Sequence, residues 1–350
     1  MSRISNFSNG LFKVSDQYFP ITTFDRPQCT FCGETGTKLY ADLQDELFNV
    51  PGSWGFRRCG NPDCGLIWLD PAPLASELYK TYLNYYTHTD SVSKSPASST
   101  GWLRARFVGL YGHLVHYSGL LRARKRLLLR HLDTKGPGRL LEIGCGEGNF
   151  LSSMRGLGWQ VTGVDSDPKA AQAAWEKHEI SILTGRFEDC EFLRDHFDVV
   201  VMNHVIEHVV DPATLLAACA DILRSEGVML LVTPNSAGLG HTVFRRKWMG
   251  LDPPRHLQIF CPGLLEQIVQ HSGLRCIDLS TTSVNAEAFF WGSTGMGMVG
   301  ERNSSPPSWH LLLLSWIYQY YALANKLWNR KGGEEIVLVC QKNPLGLARE

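Results

Sequence analysis

The feature that most constrains this 350-residue chain is a glycine-rich turn between two apolar segments. Residues 140–143 form an apolar run typical of a buried strand, and Gly144, Gly146 and Gly148 follow at alternate positions. Apolar residues then recur at helical spacing from Phe150. This order of strand, turn and helix lets backbone amides approach a bound cofactor, so it predicts a ligand-binding turn of an α/β fold. An ordinary tight turn without a ligand is the alternative.

Two acidic residues flank this turn. A second predicted strand at 161–164 ends in Asp165, where a carboxylate can accept hydrogen bonds from both hydroxyls of a ribose. Glu142 precedes the first glycine, where it would repel a pyrophosphate but attract an ammonium group, directly or through water. The glycine spacing also differs from the G-x-G-x-x-G of dinucleotide sites. The pattern therefore favours a ribose-containing cofactor with an ammonium group.

The run from Glu142 to Gly148 resembles motif I of the class I S-adenosylmethionine (SAM) methyltransferases. The resemblance implies a Rossmann-like, seven-stranded methyltransferase sheet with helices on both faces, and SAM as the cofactor. It also implies that Asp189 or its neighbours hold the adenine. The predicted cofactor-binding residues are Glu142, Gly144, Cys145, Gly146, Gly148, Asp165, Ser166, Phe187, Glu188, Asn203 and His204.

The predicted catalytic residues are two histidines, His208 and His256. Residues 203–212 resemble the segment after strand four of the same family, which implies that His208 faces the acceptor. His256 resembles a histidine linked to catalysis in sugar C-methyltransferases, and imidazole suits proton removal near neutral pH. The alternative is that His256 only orders its loop. Some quinone and RNA methyltransferases bind a divalent ion here through two acids and a histidine, but His204 stands where the first acid would be.

Four cysteines near the N-terminus have the spacing of a metal site. Cys29 and Cys32 form one close pair, Cys59 and Cys64 form another, and a glycine follows each pair. Four thiolates suit a structural, tetrahedral Zn²⁺, so we expect a small zinc ribbon; unliganded thiols or two disulfides are the alternatives. This part resembles the zinc-binding N-terminal module of some bacterial sugar, surface-polysaccharide and natural-product methyltransferases.

The remaining sequence predicts the organisation of the chain. A long apolar stretch at 311–328 predicts a buried or dimer-forming helix, with peripheral contact to a membrane or a lipid-linked acceptor as the alternative. The expected units are 1–87, a zinc-binding module; 88–137, a loop and helical connector; 138–282, the SAM-binding core; 283–334, a hydrophobic and aromatic insertion; and 335–350, the last strand and tail.

Composition narrows the expected function. Lys+Arg and Asp+Glu both number 34, so the zero net charge argues against a nucleic-acid partner. The N-terminus shows no apolar signal core, and a cytoplasmic location is expected. The prediction is SAM-dependent methyl transfer to a small molecule, first a hydroxyl or carbon of a sugar, glycan or natural-product intermediate. A quinone or lipophilic phenol is the alternative acceptor, and a protein- or RNA-docking methyltransferase or a SAM-binding scaffold is the alternative class.

Overall fold

The computed structural model describes residues 20–82, 119–129, 132, 135–295 and 309–343. The loop predicted at 88–100, the connector residues 102–118 and the glycine-, serine- and proline-rich segment 296–308 lie outside the described residues. The spacing of Tyr82, Tyr85 and Tyr86 in the sequence predicts one helix face, but Tyr85 and Tyr86 also lie outside the described residues.

The N-terminal unit is a small antiparallel structure around the four cysteines, here called the cysteine ribbon (residues 20–73). Alternating apolar residues place one face of its central strands in a core with Trp54 and Phe56. A short 3-10 helix follows at Ala75–Tyr82. The ribbon strands are β1 (Thr23–Phe24), β2 (Gly36–Leu43), β3 (Trp54–Cys59), β4 (Ile67–Leu69) and β5 (Ala72–Pro73).

A seven-stranded sheet forms the centre of the molecule, in the order β12-β13-β10-β9-β6-β7-β8. The strands from β6 to β10 are parallel, and β13 lies antiparallel between β10 and β12. This arrangement confirms the predicted Rossmann-like methyltransferase sheet. Its strands are β6 (Arg139–Ile143), β7 (Gln160–Asp165), β8 (Leu183–Thr184), β9 (Phe197–Asn203), β10 (Leu223–Pro234), β12 (Leu274–Thr282) and β13 (Glu335–Lys342), while β11 (Gln258–Ile259) belongs to the ribbon sheet.

Helices cover both faces of this sheet because the apolar residues of its inner strands alternate between two cores. Leu141 and Val200 face one core, and Leu140 and Val199 face the other. The helices are α1 (Leu120–Leu128), α2 (Asn149–Gly156), α3 (Pro168–His178), α4 (Pro212–Ile222), α5 (Leu239–Phe244), α6 (Pro262–His271), α7 (Ala286–Ser293) and α8 (Trp309–Trp328).

Two elements differ from the sequence prediction in extent. The apolar residues of 180–183 predict a third strand there, but β8 begins only at Leu183, because the Ile180 N–H instead donates to Ala174 O at the end of α3. Helix α8 buries Tyr318 and Gln319 yet exposes Ile317 and Tyr321, so only one of its faces packs on the core. Among the described helices, none combines the length and apolar character needed to cross a bilayer. Dimer formation and membrane contact through α8 stay predictions.

Candidate cofactor and acceptor site

The glycine turn joins β6 to α2 in a backbone shape that favours glycine. Gly144, Gly146 and Gly148 have φ angles of 69°, 51° and 75°, in the left-handed region. A Cβ atom at Gly144 would lie 2.5 Å from Val205 Cγ2, whereas the corresponding position at Gly146 has no heavy atom within 4 Å. The turn therefore packs on one side against the segment after β9 and leaves space at Gly146 for a ligand to approach.

Asp165 lies at the end of β7, beside this turn. Its carboxylate accepts hydrogen bonds from Gly146 N at 2.8 Å and from Asp167 N at 2.9 Å. Glu142 is buried at the end of β6, and burial together with the charges of Glu142 and Asp165 raises the pKa of the Cys145 thiol. The structure thus brings together the predicted motif I residues and shows Asp165 bracing the turn; its contact with a ribose stays a prediction.

The residues predicted for the adenine side occupy different environments. Phe187 is buried and stacks on Phe192 with ring centroids 5.4 Å apart, so its ring belongs to the core. Glu188 and Ser166 are exposed, and Asp189 pairs with Arg186 at 2.9 Å. An exposed carboxylate at Glu188 remains the predicted adenosine contact.

His204 follows Asn203 at the carboxyl end of β9 and lies between two carboxylates. Its Nδ1 is 3.2 Å from Glu207 Oε1 and its Nε2 is 2.8 Å from Glu335 Oε1. Burial disfavours the imidazolium, but the two carboxylates outweigh burial and raise the pKa of His204 to about 10. His204 is therefore charged at neutral pH and cannot serve as a general base. We call Glu207 and Glu335 the carboxylate clamp.

Glu207 is buried and ionised. Burial favours its neutral form, but His204 and the nearby His208 and His256 lower the pKa of Glu207 to about 2. Its second oxygen accepts a hydrogen bond from Thr233 Oγ1 at 2.8 Å. The ionised Glu207 carboxylate can therefore stabilise positive charge on a neighbouring imidazole.

His208 and His256 lie side by side, with ring centroids 4.6 Å apart, and we call them the histidine pair. His208 Nδ1 lies 3.0 Å from Arg255 O, and His256 Nδ1 lies 2.8 Å from Gly250 O. Since a carbonyl oxygen only accepts, these contacts place a hydrogen on each Nδ1. Nε2 of His208 is left as an acceptor, whereas Nε2 of His256 lies 3.9 Å from Asp252 Oδ2. Tyr82 Oη contacts His208 Nδ1 at 2.9 Å, so the tyrosine singled out in the sequence does reach the site.

Burial and the charge of His256 lower the pKa of His208 to about 4. One ligand atom from each of Glu207, His208 and His256 lies within 4.8 Å of the other two. Two imidazoles and a carboxylate form a donor set that suits a divalent ion. The imidazolium of His204 beside this set opposes a further cation, so the residues fit proton transfer better than a metal.

The four predicted zinc ligands converge at one end of the ribbon. Sγ of Cys29 lies 3.6 Å from that of Cys64, and Sγ of Cys32 lies 3.4 Å from that of Cys59. A tetrahedral site with Zn–S bonds of about 2.3 Å places its sulfur atoms about 3.8 Å apart, so the cluster fits Zn²⁺. Burial raises the pKa of Cys59 to about 11, so a metal would have to displace its proton.

Sequence reasoning missed the residues that hold the acceptor side together. Glu335 was treated only as a strand residue, and Arg255, Asp252 and Asp45 received no role. The available signal was the pair of adjacent acids Glu334 and Glu335 at the start of a largely apolar strand. Burying a carboxylate is costly unless it has a partner, so such a pair indicates a polar site.

Residues 111–279 match a family model described as a methyltransferase domain. The ubiquinone biosynthesis O-methyltransferase of Cereibacter sphaeroides is 29% identical over 164 residues, which cover 44% of this chain and 66% of that relative. The mitochondrial enzyme of the same name from Bos taurus is 29% identical over 185 residues, covering 47% of this chain and 50% of the relative. The match thus spans at most 66% of the length of these relatives.

Solved structures of low sequence identity are also similar in part. A SAM-dependent methyltransferase from Archaeoglobus fulgidus gives a TM-score of 0.41 at 18% identity, covering 64% of this chain and 92% of that one. Phosphoethanolamine N-methyltransferase 2 of Haemonchus contortus gives a TM-score of 0.45 at 16% identity, covering 63% of this chain and 52% of that one.

Proposed function

We propose that this chain is a SAM-dependent O-methyltransferase that acts on a phenolic hydroxyl of a quinone-type ring. The domain match and the names of the relatives support SAM-dependent methyl transfer. The observation that carries the proposal is the histidine pair: His208 and His256 lie side by side, and the contact of His208 Nδ1 with Arg255 O leaves His208 Nε2 as a proton acceptor. The relatives named for ubiquinone biosynthesis favour the phenolic acceptor over the sugar that the N-terminal module suggested.

The cofactor half of the site would hold SAM by its charged and polar ends. Glu142 is placed to attract the ammonium group, the glycine turn admits the methionine part, and Asp165 is placed at the ribose. When bound, SAM supplies a methyl group on a sulfonium that is already activated toward displacement. The protein's task is then to align the acceptor oxygen with the methyl carbon and to exclude water.

The acceptor half would take up the hydroxyl proton. His208 is neutral above about pH 4, because burial and His256 lower its pKa, so its Nε2 lone pair is free in the neutral range. An imidazole of this pKa is a weak base, so its protonation depends on a neighbouring negative charge. Glu207 carries a negative charge within 4.8 Å of both imidazoles and offsets the charge that the pair gains. A phenol with a pKa of about 10 matches this base better than a sugar hydroxyl, which is a much weaker acid.

An acceptor panel tests this assignment. Purified protein with SAM should convert catechol or a dihydroxybenzoate to its O-methyl product, detected by mass spectrometry, and should leave a sugar nucleotide unchanged. A methylated sugar nucleotide without phenol methylation would move the acceptor to the sugar class. Methylation that stops after removal of divalent ions and returns on their addition would favour a metal on Glu207, His208 and His256, where it would polarise the acceptor oxygen.

We also propose that Cys29, Cys32, Cys59 and Cys64 hold a structural Zn²⁺. The support is the fit of the four sulfur atoms to a tetrahedral site and the turns at Gly33 and Gly65, whose φ angles are 75° and 62°. Four thiolates leave no open coordination position, so this metal would stabilise the ribbon and take no part in chemistry.

A further inference from the structure

The sheet of the cysteine ribbon is completed by a strand of the core. β11 lies at the edge of this four-stranded sheet and pairs antiparallel with β4, so that Gln258 lies opposite Trp68. One residue earlier, Leu257 O accepts a hydrogen bond from Leu69 N at 3.1 Å. The ribbon and residues 257–259 therefore form one hydrogen-bonded unit.

A buried ion pair fixes the same segment to the ribbon. Arg255 is 1% exposed, and its guanidinium donates two hydrogen bonds to Asp45, at 2.7 and 2.8 Å. It also donates from Nε to Asp252 at 2.9 Å and lies over the Phe48 ring, 4.4 Å from its centroid. Asp45 is held in turn by backbone N–H groups of its own loop, including Val50 N at 3.0 Å. A planar guanidinium bound by two carboxylates has little freedom to move.

The backbone around Arg255 also holds the histidine pair. Arg255 O accepts the hydrogen bond from His208 Nδ1, and Leu257 N donates to Glu207 O at 2.8 Å. His256 lies between these two residues in sequence. A shift of Arg255 would therefore move His256 and displace one of the two oxygens that contact His208 Nδ1, the other being Tyr82 Oη.

We propose that the cysteine ribbon helps to form the acceptor site. Asp45 and Arg255 are positioning residues that fix the orientation of His256 and His208 through the backbone of residues 255–259. The proposal rests on the proposed function, because it assigns the ribbon a role in presenting that function's proton acceptors. It predicts separate effects on cofactor binding and on turnover, since Asp165 accepts hydrogen bonds from Gly146 and Asp167 beside the glycine turn, whereas Arg255 donates to Asp45 in the ribbon.

The test uses the full-length, zinc-loaded chain with Asp45→Asn, Arg255→Lys and Arg255→Met. Arg57→Met is the matched control. Arg57 also makes an ion pair, with Asp70, but this pair joins two residues of the ribbon and includes no residue of 255–259. For each protein, SAM affinity is measured by calorimetry and turnover is measured with catechol. The ¹⁵N signals of the imidazoles are recorded in the S-adenosylhomocysteine complex, with His208→Gln and His256→Gln used for assignment.

We expect Asp45→Asn and Arg255→Met to lower kcat at least about tenfold, with SAM affinity within about twofold of wild type, because small displacements of catalytic groups are costly. Arg255→Lys should recover only part of this loss, because lysine cannot form the bidentate pair. In the wild type both imidazoles should show one tautomer with hydrogen on Nδ1, and in Arg255→Met they should show averaged tautomers. Arg57→Met should resemble wild type in both measurements.

Unchanged imidazole signals in Asp45→Asn and Arg255→Met would overturn the proposal, as would an equal loss of SAM affinity and turnover. The imidazole signals need no acceptor, so they decide the positioning role even if the wild type fails to methylate phenols. That failure alone would instead count against the proposed function.

Discussion

At the scale of single residues, the site depends on which histidines carry a proton. His204 is held as an imidazolium by the carboxylate clamp, whereas His208 is kept neutral by burial and by His256. Three histidines within one site thus have different roles because their neighbours differ. The sequence shows only that they are histidines.

The first prediction concerns the titration of His208. Its folded-state pKa of about 4 lies below the ordinary 6.5, so its NMR signals should stay those of a neutral ring from pH 8 to pH 5. His256→Gln removes the imidazole that helps to lower the pKa of His208, so it should raise the titration midpoint of His208. A wild-type midpoint near 6.5 would contradict the environment described here.

The second prediction concerns the clamp. The pKa of His204 is raised from 6.5 to about 10, so its contribution to stability is full below pH 6.5 and is lost as pH rises toward 10. The pKa of Glu207 is lowered from 4.5 to about 2, so its contribution is full above pH 4.5 and is lost as pH falls toward 2. His204→Gln should therefore destabilise the protein more at pH 6 than at pH 9, measured by urea unfolding. An equal effect at both values would rule out a charged His204.

At the scale of elements, two effects favour glycine in the turn between β6 and α2: the left-handed backbone conformation and the close contact with a neighbouring side chain. Gly144 has both a left-handed φ and Val205 against it, whereas Gly146 has only the left-handed φ. The two positions should therefore respond differently to an added methyl group.

The third prediction follows from this difference. Gly144→Ala should lower the free energy of unfolding more than Gly146→Ala, because it adds a clash with Val205 to a backbone penalty of about 1–2 kcal/mol, and both variants should weaken SAM binding, Gly146→Ala by filling the space left for the ligand. Gly263→Ala, in α6 with no atom within 4 Å of the added Cβ, is the control and should leave SAM affinity unchanged. Calorimetry measures the SAM affinity of all three variants. Affinities equal to that of the wild type in all three would mean that the turn does not bind the cofactor.

The sequence predicted these elements well where their pattern is local. The strand at 139–143, the glycine turn and the acid at the end of β7 follow from periodicity and spacing within about 30 residues, and the structure confirms the fold they imply. The ribbon strand β11 could not be predicted, because it has only two residues and its partner β4 is distant in the sequence. The strand predicted near 180–183 exists as β8, but its bounds differ because only Leu183 and Thr184 pair with β7. The Asp45–Arg255 pair joins residues 210 positions apart, so no local pattern reveals it.

At the scale of the whole molecule, the ribbon and the methyltransferase core share one interior. Cys64, Leu66 and Trp68 belong to the same apolar cluster as Val200 and Leu264 of the core. Loss of ribbon structure would therefore disturb the core as well as the metal site.

The fourth prediction is one zinc per chain. Cys29→Ser combined with Cys32→Ser should abolish zinc in metal analysis and lower Tm, because structural zinc contributes to folding energy. Cys190→Ser, a half-buried cysteine outside the cluster, is the control and should retain the zinc. Unaltered zinc content in the double variant would show that these thiols are not its ligands.

The central claim is methyl transfer from SAM to a phenolic oxygen at the histidine pair. Its most direct test is a single-turnover reaction with SAM carrying an isotopically labelled methyl group, with catechol as acceptor. It compares wild type with the double variant His208→Gln and His256→Gln under conditions where calorimetry shows both to be saturated with SAM. The account predicts labelled O-methyl product in the wild type and a rate at least about a hundredfold lower in the double variant. Equal rates in the two saturated proteins would show that the histidine pair does not accept the proton, and no labelled product from either would contradict the proposed activity itself.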